Sequence, residues 1–345
     1  MEHQKIDLHA HFVPTFYRDA LLRHGHTNPD GMPGIPVWSP EAHLAYMDAQ
    51  NISCSILSIS SPGTALTLNN TLTKSLCREV NDYAADLKRQ HPKRFGFFAS
   101  LPLPDIEGTI AEIQRVKAEG LNPDGFVLLS NALGLYLGDP ALHPVLEALN
   151  AIDAVIFVHP TAPCSRHNVP STQPERYETS SPLARAYKAP MYEFFFDSAR
   201  SLLDLMLSGT AEKYPRIKWL VSHCGGVLPS LLDRMFLFAE LGMNFTTPER
   251  AVEGVKVTEE GIRKFLNENC WFDLAGNPVP ALVNALGRFV GKERLVFGTD
   301  VPWTPFPLSA GLVKKVEIDL PQCVGEEWLK SIYSGAAEGL LGNIE

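Results

Sequence analysis

The sequence predicts an α/β protein, a (β/α)8 TIM barrel, and three features carry that expectation. Eight short apolar runs recur along the chain, amphipathic segments fall between them, and two long loops interrupt the rhythm after the first and fifth runs. Nearly unbroken apolar runs mark parallel strands covered on both faces, and alternation with helices favours a closed barrel over an open doubly wound sheet. With 345 residues, 45% of them hydrophobic, residues 1–345 are expected to form one domain around one large core.

Strands are expected at residues 5–9, 53–60, 95–101, 125–130, 154–159, 218–223, 271–274 and 295–300. The clearest helical periods cover 40–50, 70–90, 106–119, 141–150, 196–212, 228–241, 279–289 and 326–341. Neither a dinucleotide-binding glycine fingerprint nor a P-loop follows any strand, so a nucleotide-binding sheet has no support. The loop 12–39 is rich in Gly, Pro and His, and the loop 161–189 carries Pro163, Pro170, Pro174 and Pro182. Loops after strands lie on the C-terminal face of a barrel, where such folds build their sites.

A net charge of −9 argues against a nucleic-acid partner, which would want a basic face. A small anionic substrate stays compatible, because a metal ion and one arginine invert the local field. The N-terminus enters a strand at once, with no stretch of signal-peptide or membrane-spanning character, so no membrane role is expected. Six scattered cysteines without CxxC pairing read as reduced thiols, and the cytoplasm is the expected compartment.

Four strand ends share a pattern. The first gives Asp7-Leu8-His9-Ala10-His11, the fifth Phe157-Val158-His159-Pro160, the sixth Ser222-His223-Cys224-Gly225-Gly226 and the eighth Gly298-Thr299-Asp300-Val301-Pro302. His9 and His11, two apart in a strand, point to one face and can share a metal ion. Each piece alone has an ordinary explanation. A His-x-His pair is common, a histidine before proline is usually local, and Asp300 could simply cap a helix. Their coincidence at strand ends that converge in a barrel is what points to metal chemistry, with His159 and Asp300 completing a mixed nitrogen and oxygen site. His223 stands beside it as an acid–base or outer residue, and Gly225-Gly226 let backbone come close to a ligand or make a tight turn. Arg234, next to Asp233, reads by itself as a paired surface residue. His3, His24, His26, His43, His91, His143 and His167 lack such placement and are expected to face solvent or local partners.

The segments DLHAHF, FVHP, SHCGGVLPSLLDR and VFGTDVPW, in this order and spacing, resemble the amidohydrolase-related decarboxylases. That group includes aminocarboxymuconate semialdehyde, γ-resorcylate and uracil-5-carboxylate decarboxylases, and the likeness covers essentially the whole chain. The look is nearest to the fungal 6-methylsalicylate decarboxylases. The resemblance implies a metal-dependent barrel of the amidohydrolase type, with His9, His11, His159 and Asp300 as ligands and His223 beside the metal-bound water or substrate. It implies that Arg234 enters the site of a neighbouring subunit in a homodimer or dimer of dimers. It also places Trp303, and more weakly Ser61, against the substrate. Some members carry Glu-x-His where this chain has His9-Ala10-His11, and the all-histidine pair looks more like the zinc members than the manganese ones. No lysine ends the fifth strand, so a binuclear site bridged by a carbamylated lysine is not expected, and one divalent ion is.

The implied reaction is loss of CO2 from a small ortho-hydroxybenzoate acid, 6-methylsalicylate being the first candidate. Asp300 would be the proton donor, provided a closed apolar site raises its pKa. The alternatives are a lactone or amide hydrolase, a decarboxylase of a non-benzenoid acid such as aminocarboxymuconate semialdehyde, and a catalytically silent metal-binding barrel.

Overall fold

The first strand, β1 (Lys5–His11), is buried along its whole length, as a strand at the centre of a closed sheet must be. Seven more follow: β2 (Ile52–Ser58), β3 (Phe95–Ser100), β4 (Gly125–Leu129), β5 (Val155–His159), β6 (Lys218–Val221), β7 (Cys270–Asp273) and β8 (Leu295–Val296). In this computed structural model, which describes residues 3–167, 176–179, 181–241 and 251–342, they form one parallel sheet in chain order. Registry aligns His11 with Ser58 across β1 and β2, and Leu129 with His159 across β4 and β5.

Closure comes from the chain beyond β8. The Leu8 amide donates to the Phe297 carbonyl, the Asp300 amide to the His9 carbonyl and the His11 amide to the Val301 carbonyl. A parallel bridge pairs Ala10 with Val301. Regular β8 is thus shorter than the expected 295–300: its ladder with β7 ends at Val296, and the buried residues beyond it bond β1 instead. Each strand gives a residue to the inner cluster, among them Leu8, Ile56, Phe98, Val127, Phe157 and Val296, which Ala336, Ala337 and Leu340 join from the last helix. The outer faces pack against the helices in a second, larger core.

The two long loops hold more structure than their composition suggests. Residues 12–39 contain the helix Thr15–Arg23 and a short turn Pro29–Gly31. After β5, a hairpin pairs Cys164–His167 with Arg176–Thr179; the residues between its strands, including Pro170 and Pro174, lie outside the described residues. The helix Ala189–Leu207 begins earlier than the expected 196, and two helices, Glu259–Glu268 and Phe306–Val324, were not among the clear periods. All six cysteines are free thiols. Of the histidines expected to face solvent or local partners, His43 is buried and takes a local one, accepting the Trp38 indole N–H at 3.1 Å. Among the described residues no helix is long and apolar enough to cross a membrane.

Candidate metal centre

Three imidazoles and one carboxylate converge at the C-terminal mouth of the barrel. His9 and His11 present their rings together, centroids 5.0 Å apart, as their spacing in β1 requires. His159 ends β5 with its ring 4.8 Å from His11 and 5.2 Å from His9. Asp300 is anchored beside them by its amide bond to the His9 carbonyl, and Thr304 Oγ1 donates to its Oδ2 at 3.2 Å. Donor atoms of His9, His11, His159 and Asp300 all lie within 4.8 Å of one another. Asp300 Oδ1 is 3.1 Å from His11 Nε2 and 3.4 Å from His9 Nε2.

The opposite ring nitrogens are all engaged with acceptors. His9 Nδ1–H donates to Asp273 Oδ2 at 2.8 Å, His11 Nδ1–H to Ser58 Oγ at 3.0 Å, and His159 Nδ1–H to the Pro160 carbonyl at 2.7 Å. Each Nε2 is left as the atom that can ligate, and outer partners of this kind orient a ligand and raise its basicity. His9 Nε2 is buried without a hydrogen-bond partner, a cost that a coordinated ion would remove. Three imidazoles and a carboxylate are a donor set that suits one divalent ion.

Burial pushes the His9 imidazole down, but Asp273 and Asp300 reverse this and carry it up to about 10. In the ion-free chain His9 therefore keeps a proton that a metal would displace. Burial lowers His11, and burial with the adjoining His11 and His9 lowers His159 strongly. Burial alone would raise Asp300, yet its hydrogen bond with His11 and the charge of the adjoining His9 hold it well below the usual carboxylate range. The raised Asp300 expected from the sequence is thus corrected: the imidazoles around it outweigh the apolar surroundings.

His223 follows β6 in a turn where His223, Cys224, Gly225 and Gly226 all take positive φ. Its amide donates to Asp273 Oδ1 at 2.9 Å and its Nδ1–H to the Ala275 carbonyl at 3.2 Å, which sets the ring 4.9 Å from His9 and stacked on Phe195. A Cβ on Gly226 would stand 2.5 Å from the Phe195 carbonyl oxygen, so this glycine admits the helix Ala189–Leu207. Phe194 lies edge-on to His159, whereas Phe196 is exposed.

Trp303 is half-buried with its indole N–H buried and unpartnered. Ser61 is buried and bonded to Thr161 Oγ1 at 2.7 Å, a link between the loops after β2 and β5. Arg234 is exposed on the helix Pro229–Glu240 with its guanidinium 4.7 Å above the Phe238 ring, a contact on its own helix; Asp233 meets Arg288 instead. Two buried carboxylates escaped the sequence. Asp273 joins His9 to His223, and Asp7 accepts from Thr299 Oγ1 at 2.6 Å and from the His9 amide at 3.1 Å. A lone acid inside an apolar strand was the signal for both.

Residues 6–342 match the family model described as Amidohydrolase. Decarboxylase yanB of Aspergillus niger is 33% identical, over 96% of this chain and 86% of its own. The 6-methylsalicylic acid decarboxylase of Penicillium expansum is 30% identical, over 96% of this chain and 94% of that protein. The 5-carboxyvanillate decarboxylase of Novosphingobium aromaticivorans, solved with bound manganese, shares the fold with a TM-score of 0.80 and 21% identity, over 99% of this chain and 97% of that one.

Proposed function

The chain belongs to the amidohydrolase family, and on that premise we propose that it is a metal-dependent carboxy-lyase acting on a small aromatic acid with a hydroxyl ortho to its carboxylate. The observation that carries this is the convergence of His9, His11, His159 and Asp300, with every outer nitrogen tied off, in a chain so similar to a 6-methylsalicylic acid decarboxylase. 6-Methylsalicylate, giving 3-methylphenol and CO2, is accordingly the first substrate to offer.

A divalent ion held by those four residues would bind the substrate's carboxylate and phenolic oxygen and hold their negative charge. Zinc is favoured by the three imidazoles, and the manganese of the structural relative supports the alternative.

The hard step is protonation of the ring carbon that bears the carboxylate, because it breaks aromaticity. Asp300 stands as a carboxylate, so it must first take a proton, and the ortho hydroxyl is the source at hand. Asp300 returns that proton to the ring carbon; the bond to the carboxylate then breaks, its electron pair restores the ring, and CO2 leaves. The phenolate takes its proton from water. His223 orients Asp300 or exchanges protons with it, and Trp303 and Ser61 border the ring.

Arg234 would reach a substrate from a second copy of the chain, so a homodimer or dimer of dimers belongs to this reading. Exposed Tyr187, Met191, Tyr192, Phe196 and Leu237 offer apolar surface for such a copy to cover. Six free thiols fit a single barrel domain working in a reducing cytoplasm.

The carboxylate form of Asp300 also suits a general base, which favours lactone or amide hydrolysis as the second reading. The product separates the two, CO2 against an opened ring or freed acid. Asp300→Asn should keep the fold and lower CO2 release by about a hundred-fold or more. Retained turnover would remove Asp300 from the chemistry.

A further inference from the structure

Beside the metal candidates lies a cavity of about 1260 Å³, walled by the loops that follow β1, β2, β3, β4 and β5. It exceeds the roughly 300–1,000 Å³ of sites for drug-sized ligands and far exceeds a single-ring acid. Its wall is mainly apolar, with Ile59, Leu66, Leu101, Leu129 and Leu133 prominent. None of His9, His11, His159 and Asp300 lines it, so it does not hold the carboxylate that reacts. It nevertheless abuts their supports. Thr161 lies two residues beyond His159, and Ile59 directly follows Ser58, the partner of His11 Nδ1.

We propose that this cavity is a subsite for an extended apolar substituent on the ring, so that the preferred substrate is an ortho-hydroxybenzoate with a chain longer than methyl. The inference rests on the decarboxylase reading and names its substrate more narrowly. Apolar walls reward each buried methylene and reject charge. Asp30 sharpens the rejection. It is the one carboxyl among the described lining residues, held in the turn Pro29–Gly31 with Ser61 as its hydrogen-bond partner. A chain ending in a carboxylate would meet it. Energy gained by the chain, remote from the bond that breaks, is available to orient the ring over Asp300.

The test is kcat/KM for CO2 release by the metal-loaded protein with 6-alkylsalicylates from methyl to pentyl. Each added methylene should raise it by about four-fold until the chain fills the cavity. A chain of the same length ending in a carboxylate should lose that gain. Ala65→Trp, which fills the cavity from its wall, should bring the pentyl-to-methyl ratio down toward one. The ratio is taken within one preparation, so partial loss of folded protein leaves it unchanged. Ala162→Phe is the second variant to use if the first does not fold. Turnover of the methyl compound with a flat or falling series overturns the subsite and leaves the decarboxylase reading standing. No CO2 from any member, methyl included, overturns both.

Discussion

Asp273 accepts three hydrogen bonds, from His9 Nδ1 and from the amides of His223 and Ala275. It thereby fixes one metal candidate and the neighbouring imidazole at once. Asp273→Asn should weaken metal binding by about 10–100-fold, read by chelator competition, because His9 loses the anion that orients it. Unchanged affinity would make Asp273 a structural residue only. His159→Ala should lower the metal content of the purified protein, and a full complement of metal would remove His159 from the ligand set. Asp30 tests the electrostatics away from the centre. Burial lifts its carboxyl from 3.8 to about 6, against Ser61 and His26, which lower it. The folded chain thus binds this proton more tightly than the unfolded one, a contribution fully present below the unfolded value and lost as pH rises through about 6. The size is up to about 3 kcal/mol. Asp30→Asn should therefore stabilise the protein against urea more at about pH 7.5 than at about pH 4.5, and a gain equal at both would contradict it. Asp30 was not legible in the sequence, and Asp273 showed there only as a lone acid in an apolar strand, without its role. Their meaning comes from partners on other loops and strands, such as Ser61 and His223, which no local spacing reveals.

Among the elements, β1 and the segment that follows β8 approach more closely than an added side chain allows. A Cβ on Gly298 would stand 2.7 Å from His9 Cβ, so this glycine lets β8 deliver Asp300 beside β1. Gly298→Ala should cost about 1–3 kcal/mol of stability and reduce metal occupancy in the same protein. Stability lost with occupancy intact would show that the strain is absorbed elsewhere. Strands were the legible elements, because burial on both faces leaves runs such as Val155–His159 almost free of polar residues. The helix Phe306–Val324 was hidden by Pro307, Gly311 and Pro321 within it. Pro307 falls in its first turn, where the missing N–H costs nothing, and Pro321 falls near its end. The helix Thr15–Arg23 was masked by the Gly and Pro residues that surround it in the loop.

For the whole molecule, the barrel and the four residues at its mouth were readable because topology alone brings the C-terminal ends of β1, β5 and β8 together. Arg234 faces solvent within one chain, so its proposed role at a neighbouring site rests on the resemblance and not on topology. The proposed assembly is tested by mixing subunits. Arg234→Ala and Asp300→Asn should each give little CO2 release alone, while co-expressed hybrids recover activity. Failure to recover, or a monomer in solution scattering, would place Arg234 outside the chemistry. The most direct measurement is CO2 release from ortho-hydroxybenzoates, 6-methylsalicylate first, on the purified protein before and after metal removal and after restoring zinc or manganese. Release that disappears with the metal and returns with it is the expected result. A fully metallated protein that releases no CO2 from any of them would contradict the decarboxylase assignment.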